Sequence, residues 1–244
     1  MTVVNAEIVA PPKSLLCIGH SHVSCVARAA AVEGIPLRSF NFWDLPGAID
    51  REGGRPSFCE AISEALAHHV GPVFSLIGGA SHTVMGMLVH PRRFDFVLSD
   101  EPDLPLDPMA EILPALAVRR AIELLAEEYL VLMAQVRQLC PGSMYHIEPP
   151  PPYADAARMY ADVPWIMFPD HCQEISPASL RYKLWRMHSQ VLADWCLQAG
   201  VEWLAAPSLS MDDSGFMLAP YYGDGAHANE VYGALVLHQM MERV

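Results

Sequence analysis

The chain has 244 residues, of which 52% are hydrophobic and 18% charged, and its formal net charge is −13. Such a composition can bury a substantial core, which excludes a disordered protein and favours one domain over residues 1–244. Because the chain is acidic and has no long run of Lys and Arg, we expect neither nucleic acid nor a membrane surface as a partner.

The ends and the cysteines of the chain bear on its location in the cell. The N-terminal segment lacks the basic start, the long apolar core and the cleavage site of a secretory signal peptide. No stretch approaches the roughly 18 uninterrupted apolar residues that a membrane-spanning helix needs. The 6 cysteines are scattered without a CxxC pair, which is typical of free thiols in a reducing compartment. We therefore expect a cytoplasmic protein.

Strand and helix patterns alternate from one end of the chain to the other. Short apolar or alternating runs indicate strands, and apolar residues spaced three to four apart indicate helices. In chain order, the sequence predicts a strand at 14–19, a helix at 24–34, a strand at 35–43, a helix at 57–70 and a strand at 72–79. Residues 92–100 are expected to form either a further short strand or an extended excursion, and a helix follows at about 109–139. The sequence then predicts a strand beginning at 143, a loop at 153–170, a helix at 178–200, a strand at 201–207 and a terminal helix within 223–244.

Particular residues mark the ends of several helices. Ser57, with Glu60 three residues later, is the pattern of a helix-capping box, and Gly34 and Gly200 stand where helices should end. The alternation predicts an α/β fold, namely a doubly wound, mainly parallel five-stranded sheet with helices on both faces. In such a fold the ligand site lies at the carboxyl ends of the strands.

Polar residues follow the first and last predicted strands. Ser21 lies between His20 and His22 directly after the first strand, and Asp224 and His227 lie three residues apart after the last. A serine is a weak nucleophile by itself, because it needs a base within hydrogen-bond reach and a third group that orients the base. Together these residue types are the parts of a nucleophilic acyl-transfer site.

This layout resembles that of the SGNH (GDSL-type) hydrolases, a superfamily of esterases, lipases, glycan deacetylases and some O-acyltransferases. The sequence IGHS, with His20 in the place of an Asp, resembles the family's first motif, and DGAH resembles its Asp-x-x-His motif before the C-terminal helix. The resemblance implies a flavodoxin-like fold. It also implies that Ser21 is the nucleophile, His227 the general base and Asp224 the residue that orients the base.

The resemblance further implies an oxyanion hole. The family usually donates from the backbone N–H of the nucleophile, from a Gly after the second strand and from an Asn after the third. Ser21 and Gly47 match the first two places, but the third reads IGGASH and contains no Asn. We expect the Ser81 hydroxyl, the backbone N–H groups of 78–81 or the His82 ring to substitute. The expected substrate pocket is lined by His20, His22, His82 and Glu148.

The sequence therefore predicts a serine esterase or O-acyltransferase that needs no cofactor. We expect a small acyl ester, above all an acetyl ester, of a carbohydrate or a similar alcohol, and Trp43 and Trp165 are candidates for stacking on a sugar ring. One alternative is a noncatalytic SGNH-fold module that binds a glycan or a partner protein, which the missing Asn would explain. Another is a metal-dependent hydrolase built on the histidine-rich loops, but no HExxH or Cys/His spacing supports it, and we predict no metal site.

Overall fold

The computed structural model of the protein describes residues 14–163, 173–225 and 227–244. The strands in chain order are β1 (Leu15–Gly19), β2 (Leu37–Asn41), β3 (Ile49–Asp50), β4 (Ser57–Phe58), β5 (Val73–Leu76), β6 (Phe94–Asp95), β7 (Glu111–Ile112), β8 (Met144–Ile147) and β9 (Glu202–Leu204). The helices are α1 (Val23–Glu33), α2 (Glu60–Ala67), α3 (Ser81–Gly86), α4 (Ala115–Leu139), α5 (Ala156–Asp162), α6 (Ala178–Ala199) and α7 (Glu230–Met241).

Five of the strands form one parallel sheet in the order β2-β1-β5-β8-β9. The chain moves outward from β1 to β2, returns past β1 to β5, and then continues to β8 and β9. This doubly wound path confirms the predicted α/β fold with a five-stranded parallel sheet. At the point where the order reverses, between β1 and β5, the loops after the two strands diverge and leave a crevice for a ligand.

Successive residues of β1 contact opposite layers of helices, because side chains alternate along a strand. Leu15 and Cys17 pack in a buried cluster with α1 and α7, whereas Leu16 and Ile18 pack in a second cluster with α2, α4 and α6. The sheet is therefore covered by helices on both faces, as expected. Burial on both faces also explains why β1 is apolar throughout rather than alternating.

The predicted capping box at the start of α2 is not formed. Ser57 belongs to β4 and pairs with Asp50 of β3 in a short antiparallel ribbon. The helix begins only at Glu60, after Cys59, which makes no side-chain cap bond. Strand pairing thus removes Ser57 from the cap position that its local sequence favours.

The start of α4 also differs from the prediction. The helix expected from residue 109 begins at Ala115, because 111–112 pairs with 94–95 in a two-stranded ribbon, β6-β7. Pro114 stands at the cap position, where its lack of an N–H is harmless. The short strand expected as one possibility within 92–100 is therefore present, and it lies outside the main sheet.

Among the described residues, two short α-helices, α3 and α5, were not predicted. The loop expected at 153–170 contains α5, whose cap residue Asp155 accepts a hydrogen bond from the Arg158 N–H at 2.9 Å. Residues 164–170 of that predicted loop lie outside the described residues. The six-residue helix α3 follows β5 directly and is too short to show a helical period in sequence.

Among the described residues, no helix combines the length and the apolar character that crossing a bilayer requires. The cysteines in the same part of the chain, Cys17, Cys25, Cys59, Cys140 and Cys196, are free thiols. Cys172 lies outside the described residues.

Candidate active site

Gly19 ends β1 at a point where β1 and β5 approach each other closely. A Cβ at this position would lie 2.4 Å from the Leu76 carbonyl oxygen, so only glycine fits. The next residue, His20, donates its backbone N–H to the same carbonyl at 3.3 Å. The start of the loop that carries Ser21 is therefore held against the end of β5.

Ser21, His227 and Asp224 form a hydrogen-bonded chain. The Ser21 Oγ lies 2.9 Å from His227 Nε2, and His227 Nδ1 lies 2.5 Å from Asp224 Oδ1. In the neutral tautomer whose Nδ1–H donates to the carboxylate, Nε2 can accept a hydrogen bond from the serine hydroxyl. This arrangement can take a proton from Ser21 as the serine attacks an electrophile.

The loop that carries Asp224 and His227 is anchored through its backbone. The His227 and Asp224 side chains are 44% and 75% exposed. The buried Tyr153 hydroxyl donates to the His227 carbonyl and accepts from the Gly223 N–H at 2.9 Å. Burial raises the pKa of Tyr153 to about 12, so this hydroxyl remains a donor at neutral pH.

Asn229 anchors the other end of the same loop at the start of α7. Its side-chain oxygen accepts from the backbone N–H groups of Val231 and Tyr232 at 2.9 and 3.2 Å, which caps the helix. Its side-chain amide donates to the carbonyls of Pro220 and Tyr222 at 2.8 and 3.0 Å. One side chain therefore joins the helix to the loop that precedes it.

Ser21 faces a cavity of about 350 Å³, which we call the Ser21 cavity. Its walls come from the loop after β1, the segment after β5, the turn after β2, one residue of α4 and the loop before α7. The lining residues are His20, Ser21, His22, Trp43, Gly78, Gly79, Ala80, Thr83, Tyr129 and His227. The cavity thus lies at the switch point of the sheet, and its volume is typical of small-molecule sites.

His20 is an uncharged wall of this cavity. Burial lowers the pKa of His20 to about 4. The Gly78 N–H donates to His20 Nδ1 at 3.2 Å, which places the imidazole proton on Nε2. The ring centroid lies 5.1 Å from that of Phe42 and 5.0 Å from that of Tyr129. His20 therefore contributes a neutral, oriented imidazole beside Ser21.

A second pocket, of about 270 Å³, adjoins the Ser21 cavity and shares His20, Trp43 and Tyr129 with it. Gly47, expected as an oxyanion donor, lines this second pocket and not the Ser21 cavity. Its φ of +76° places it in a left-handed turn that favours glycine.

The remaining predicted site residues divide between the Ser21 cavity and the core. His22 lines the cavity, and its ring centroid lies 5.6 Å from that of His227. Ser81 is only 2% exposed and does not line the cavity. Glu148 is also buried away from it and accepts from the Ala206 N–H at 2.8 Å, which joins the ends of β8 and β9. His82 is buried beside His188.

The described histidines of the strand-end loops do not converge as metal ligands would. In the ranges that the structure describes, no three His, Cys, Asp or Glu side chains are arranged to hold a metal ion. The Nδ1 atoms of His20 and His82 are engaged by the Gly78 N–H and by His188.

Sequence reasoning missed two residues of the cavity wall. Tyr129 lies in the middle of α4 and not in any strand-end loop, so no local pattern marks it. Thr83 lies in α3, the helix that the sequence did not predict. Trp43 lines the cavity, as its position at the end of the second predicted strand allows. Trp165, the other candidate for stacking, lies outside the described residues.

Comparison with known proteins gives matches among solved structures only. No protein-family model and no curated protein matches the sequence. A GDSL-like lipase from Bacteroides thetaiotaomicron is 13% identical over 95% of this chain and 89% of its own, with a TM-score of 0.41. A carbohydrate acetylesterase from Sinorhizobium meliloti is 14% identical over 94% and 97% of the two chains, with a TM-score of 0.41.

An acetylxylan esterase from Geobacillus stearothermophilus is 10% identical over 95% of this chain and 94% of its own, with a TM-score of 0.46. GDSL and SGNH hydrolases are thus among the solved structures that this chain is similar to, and they are the proteins that its two motifs resemble. At these low identities and TM-scores, the similarity concerns only the path of the backbone. A function must therefore be inferred from the side chains of the site.

Proposed function

We propose that the protein is a serine esterase that forms an acyl-enzyme on Ser21. The observation that carries this proposal is the chain of hydrogen bonds from Ser21 Oγ through His227 to Asp224, at the wall of a cavity of about 350 Å³. A nucleophile, a base and a group that orients the base are the minimum set for acyl transfer.

In the first half of the reaction, Ser21 Oγ attacks the carbonyl carbon of the ester while its proton passes to His227 Nε2. The bond between the carbonyl carbon and the alcohol oxygen then breaks, and His227 returns the proton to that oxygen. Asp224 holds the ring in the orientation that both transfers need and stabilises the charge that the ring carries between them.

In the second half, water attacks the acyl-enzyme and gives a proton to His227, and the ring returns it to Ser21 Oγ as the acid leaves. If a second alcohol attacks in place of water, the same steps transfer the acyl group. The reaction needs no cofactor.

We further propose that the substrate is an acetyl ester of a carbohydrate. The support is the Trp43 ring, which is 73% exposed at a wall shared by the Ser21 cavity and the second pocket. The second pocket is also lined by Tyr129 and by the ion-paired side chains of Arg51 and Glu128. Aromatic faces beside charged hydrogen-bonding groups suit a sugar ring, which has apolar C–H faces and a rim of hydroxyls.

The test is hydrolysis of p-nitrophenyl acetate together with labelling by a fluorophosphonate, which reacts with activated serines. We expect wild-type protein to turn over the ester, the label to map to Ser21, and Ser21→Ala to lose both activities with its fold intact. Ser63→Ala is a matched control, because Ser63 lies in α2 and lines neither the Ser21 cavity nor the second pocket.

If wild-type protein neither hydrolyses the ester nor reacts with the probe, the esterase proposal is wrong. Glycan binding that survives Ser21→Ala, without turnover, would then indicate a noncatalytic binding module.

A further inference from the structure

A buried pair of histidines lies behind one wall of the Ser21 cavity. His82 in α3 and His188 in α6 place their Nδ1 atoms 3.0 Å apart, and both residues are buried. Burial lowers the pKa of His82 well below its ordinary value and that of His188 to about 4. Both rings are therefore neutral at physiological pH, and each carries one proton.

The position of those two protons follows from the surroundings of His188. A hydrogen bond between two Nδ1 atoms requires that one be protonated and the other not. His188 Nε2 is completely buried and has no hydrogen-bond partner. A proton there would be an unsatisfied buried donor, which native structures avoid. The His188 proton therefore lies on Nδ1 and is donated to His82 Nδ1.

This assignment determines which way the hydrogen bond to Thr83 runs. The His82 proton must lie on Nε2, because its Nδ1 accepts from His188. His82 Nε2 is 3.2 Å from the Thr83 Oγ1, so the ring donates to the threonine hydroxyl. The Thr83 hydroxyl proton has no acceptor among the residues that the structure describes, and Thr83 lines the Ser21 cavity. Thr83 also lines a cavity of about 30 Å³ beside His82, but of these two cavities only the Ser21 cavity, of about 350 Å³, has room for an ester that could accept this hydrogen bond.

An oxyanion formed in the Ser21 cavity requires hydrogen-bond donors on the cavity wall. An acyl-transfer site stabilises the negative oxygen of the tetrahedral intermediate with oriented N–H or O–H groups. The Gly78 N–H is already donated to His20, and neither Ser81 nor Gly47 lines the cavity. Ser81 and Gly47, which we expected to supply donors, are thus absent from this wall. Ser21, Gly79 and Ala80 line it with their backbone, and Thr83 adds a side-chain hydroxyl.

We propose that the Thr83 hydroxyl donates a hydrogen bond to the oxyanion formed when Ser21 attacks its ester, and that His82 and His188 are positioning residues that orient this hydroxyl. The inference rests on the proposed esterase function. Thr83 is a catalytic residue in this scheme because it contacts the reacting oxygen, whereas the two histidines act through it.

The first experiment compares Thr83→Val, which keeps the shape but loses the hydroxyl, with Thr83→Ser, which keeps the hydroxyl. For p-nitrophenyl acetate, we expect Thr83→Val to lower kcat about 100-fold with little change in KM, because the donor acts on charge that develops in the transition state. Thr83→Ser should retain most of the wild-type kcat.

Two results would overturn the role of Thr83 while leaving the esterase proposal intact: an unchanged kcat in Thr83→Val, or an equal loss in Thr83→Ser. A wild-type protein without esterase activity would instead overturn the proposed function, and this inference with it.

The second experiment separates orientation from folding. His188→Asn places an amide N–H near the position of the Nδ1–H, whereas His188→Leu removes the donor. We expect His188→Leu to lower kcat, His188→Asn to restore it, and His188→Leu to have no further effect on kcat in the Thr83→Val background. A purely structural role would lower Tm and would reduce kcat in that background as well, which would overturn the positioning role.

Discussion

Trp43 shows how a single side chain at the cavity can be exposed and still be held in place. Its indole is 73% exposed, but its backbone N–H donates to the Asn41 Oδ1 at 3.1 Å. The Asn41 amide in turn donates to Asp44 at 2.7 Å and to Ser24 at 2.9 Å. The turn after β2 is therefore fixed by one asparagine, and it presents an apolar ring to anything that enters the Ser21 cavity.

At the residue scale, we predict that Trp43→Ala raises KM for an acetylated sugar. Loss of one stacking contact, worth about 0.5–1.5 kcal/mol, corresponds to an increase of up to about tenfold. Hydrolysis of ethyl acetate, which has no ring to stack, should change little. The measurement is kcat and KM for both esters with wild-type, Trp43→Ala and Trp43→Phe proteins, the last of which keeps an aromatic face. Equal losses on the two esters would show that Trp43 does not contact the sugar.

At the scale of elements, two side chains hold the loop between β9 and α7 in place. Tyr153 binds its backbone at Gly223 and His227, and Asn229 joins it to the first turn of α7. Because His227 and Asp224 are partly exposed to solvent, their position relies on this backbone anchoring more than on burial.

We predict that Asn229→Ala lowers the free energy of unfolding by about 1 kcal/mol, the usual effect of losing a helix N-cap, and lowers kcat as His227 loses its anchored loop. Asn229→Asp keeps an oxygen for the two helix N–H groups but cannot donate to the carbonyls of Pro220 and Tyr222. Its stability should therefore lie between those of wild type and Asn229→Ala. Urea unfolding and esterase assays on the three proteins provide the check, and wild-type stability in Asn229→Ala would contradict it.

At the scale of the whole molecule, folding buries several neutral imidazoles. Burial lowers the pKa of His20 to about 4, of His146 to about 3 and of His188 to about 4, and that of His82 also falls well below its ordinary value. In the unfolded chain each of these groups has a pKa of about 6.5. Between about pH 6.5 and pH 4, the unfolded state therefore binds more protons than the folded state.

Burying these histidines in their neutral form makes folding depend on pH. The stability is fully present above about pH 6.5, and part of it is lost as the pH falls from there toward 4, because the unfolded chain takes up protons that the folded protein does not. Between pH 7.5 and 5.5, we expect each such histidine to lower the free energy of unfolding by about 1.4 kcal/mol. Urea unfolding at the two pH values measures the total. In His146→Gln, the decrease in the free energy of unfolding between the two pH values should be smaller than in wild type by about 1.4 kcal/mol. The other titrating groups should affect wild type and variant alike, so the difference reports on His146. An equal loss in the variant would contradict a neutral, buried His146.

The local sequence was sufficient for the long elements, and it failed for the short ones. The apolar runs of β1 and β5 and the long helices α4 and α6 carry a periodic signal that packing reinforces. The two-residue strands and the helix α3 carry no such signal, because they form only when a partner segment is in place. Ser57 is the clearest case, since pairing with Asp50 overrides its local preference to cap a helix.

For the site, the sequence by itself determined the α/β alternation and the polar residues at the strand ends, including the prediction that Ser21, Asp224 and His227 belong together. Only the tertiary structure decided which side chains share the cavity with Ser21. It brings in Tyr129 from the middle of α4 and Thr83 from α3, and it buries Glu148 and Ser81 elsewhere. The physical reason is that Ser21, Asp224 and His227 follow strand ends, and the topology of a parallel sheet implies where its strand ends lie. The rest of the wall depends on how helices pack across that edge, and no local pattern encodes that packing.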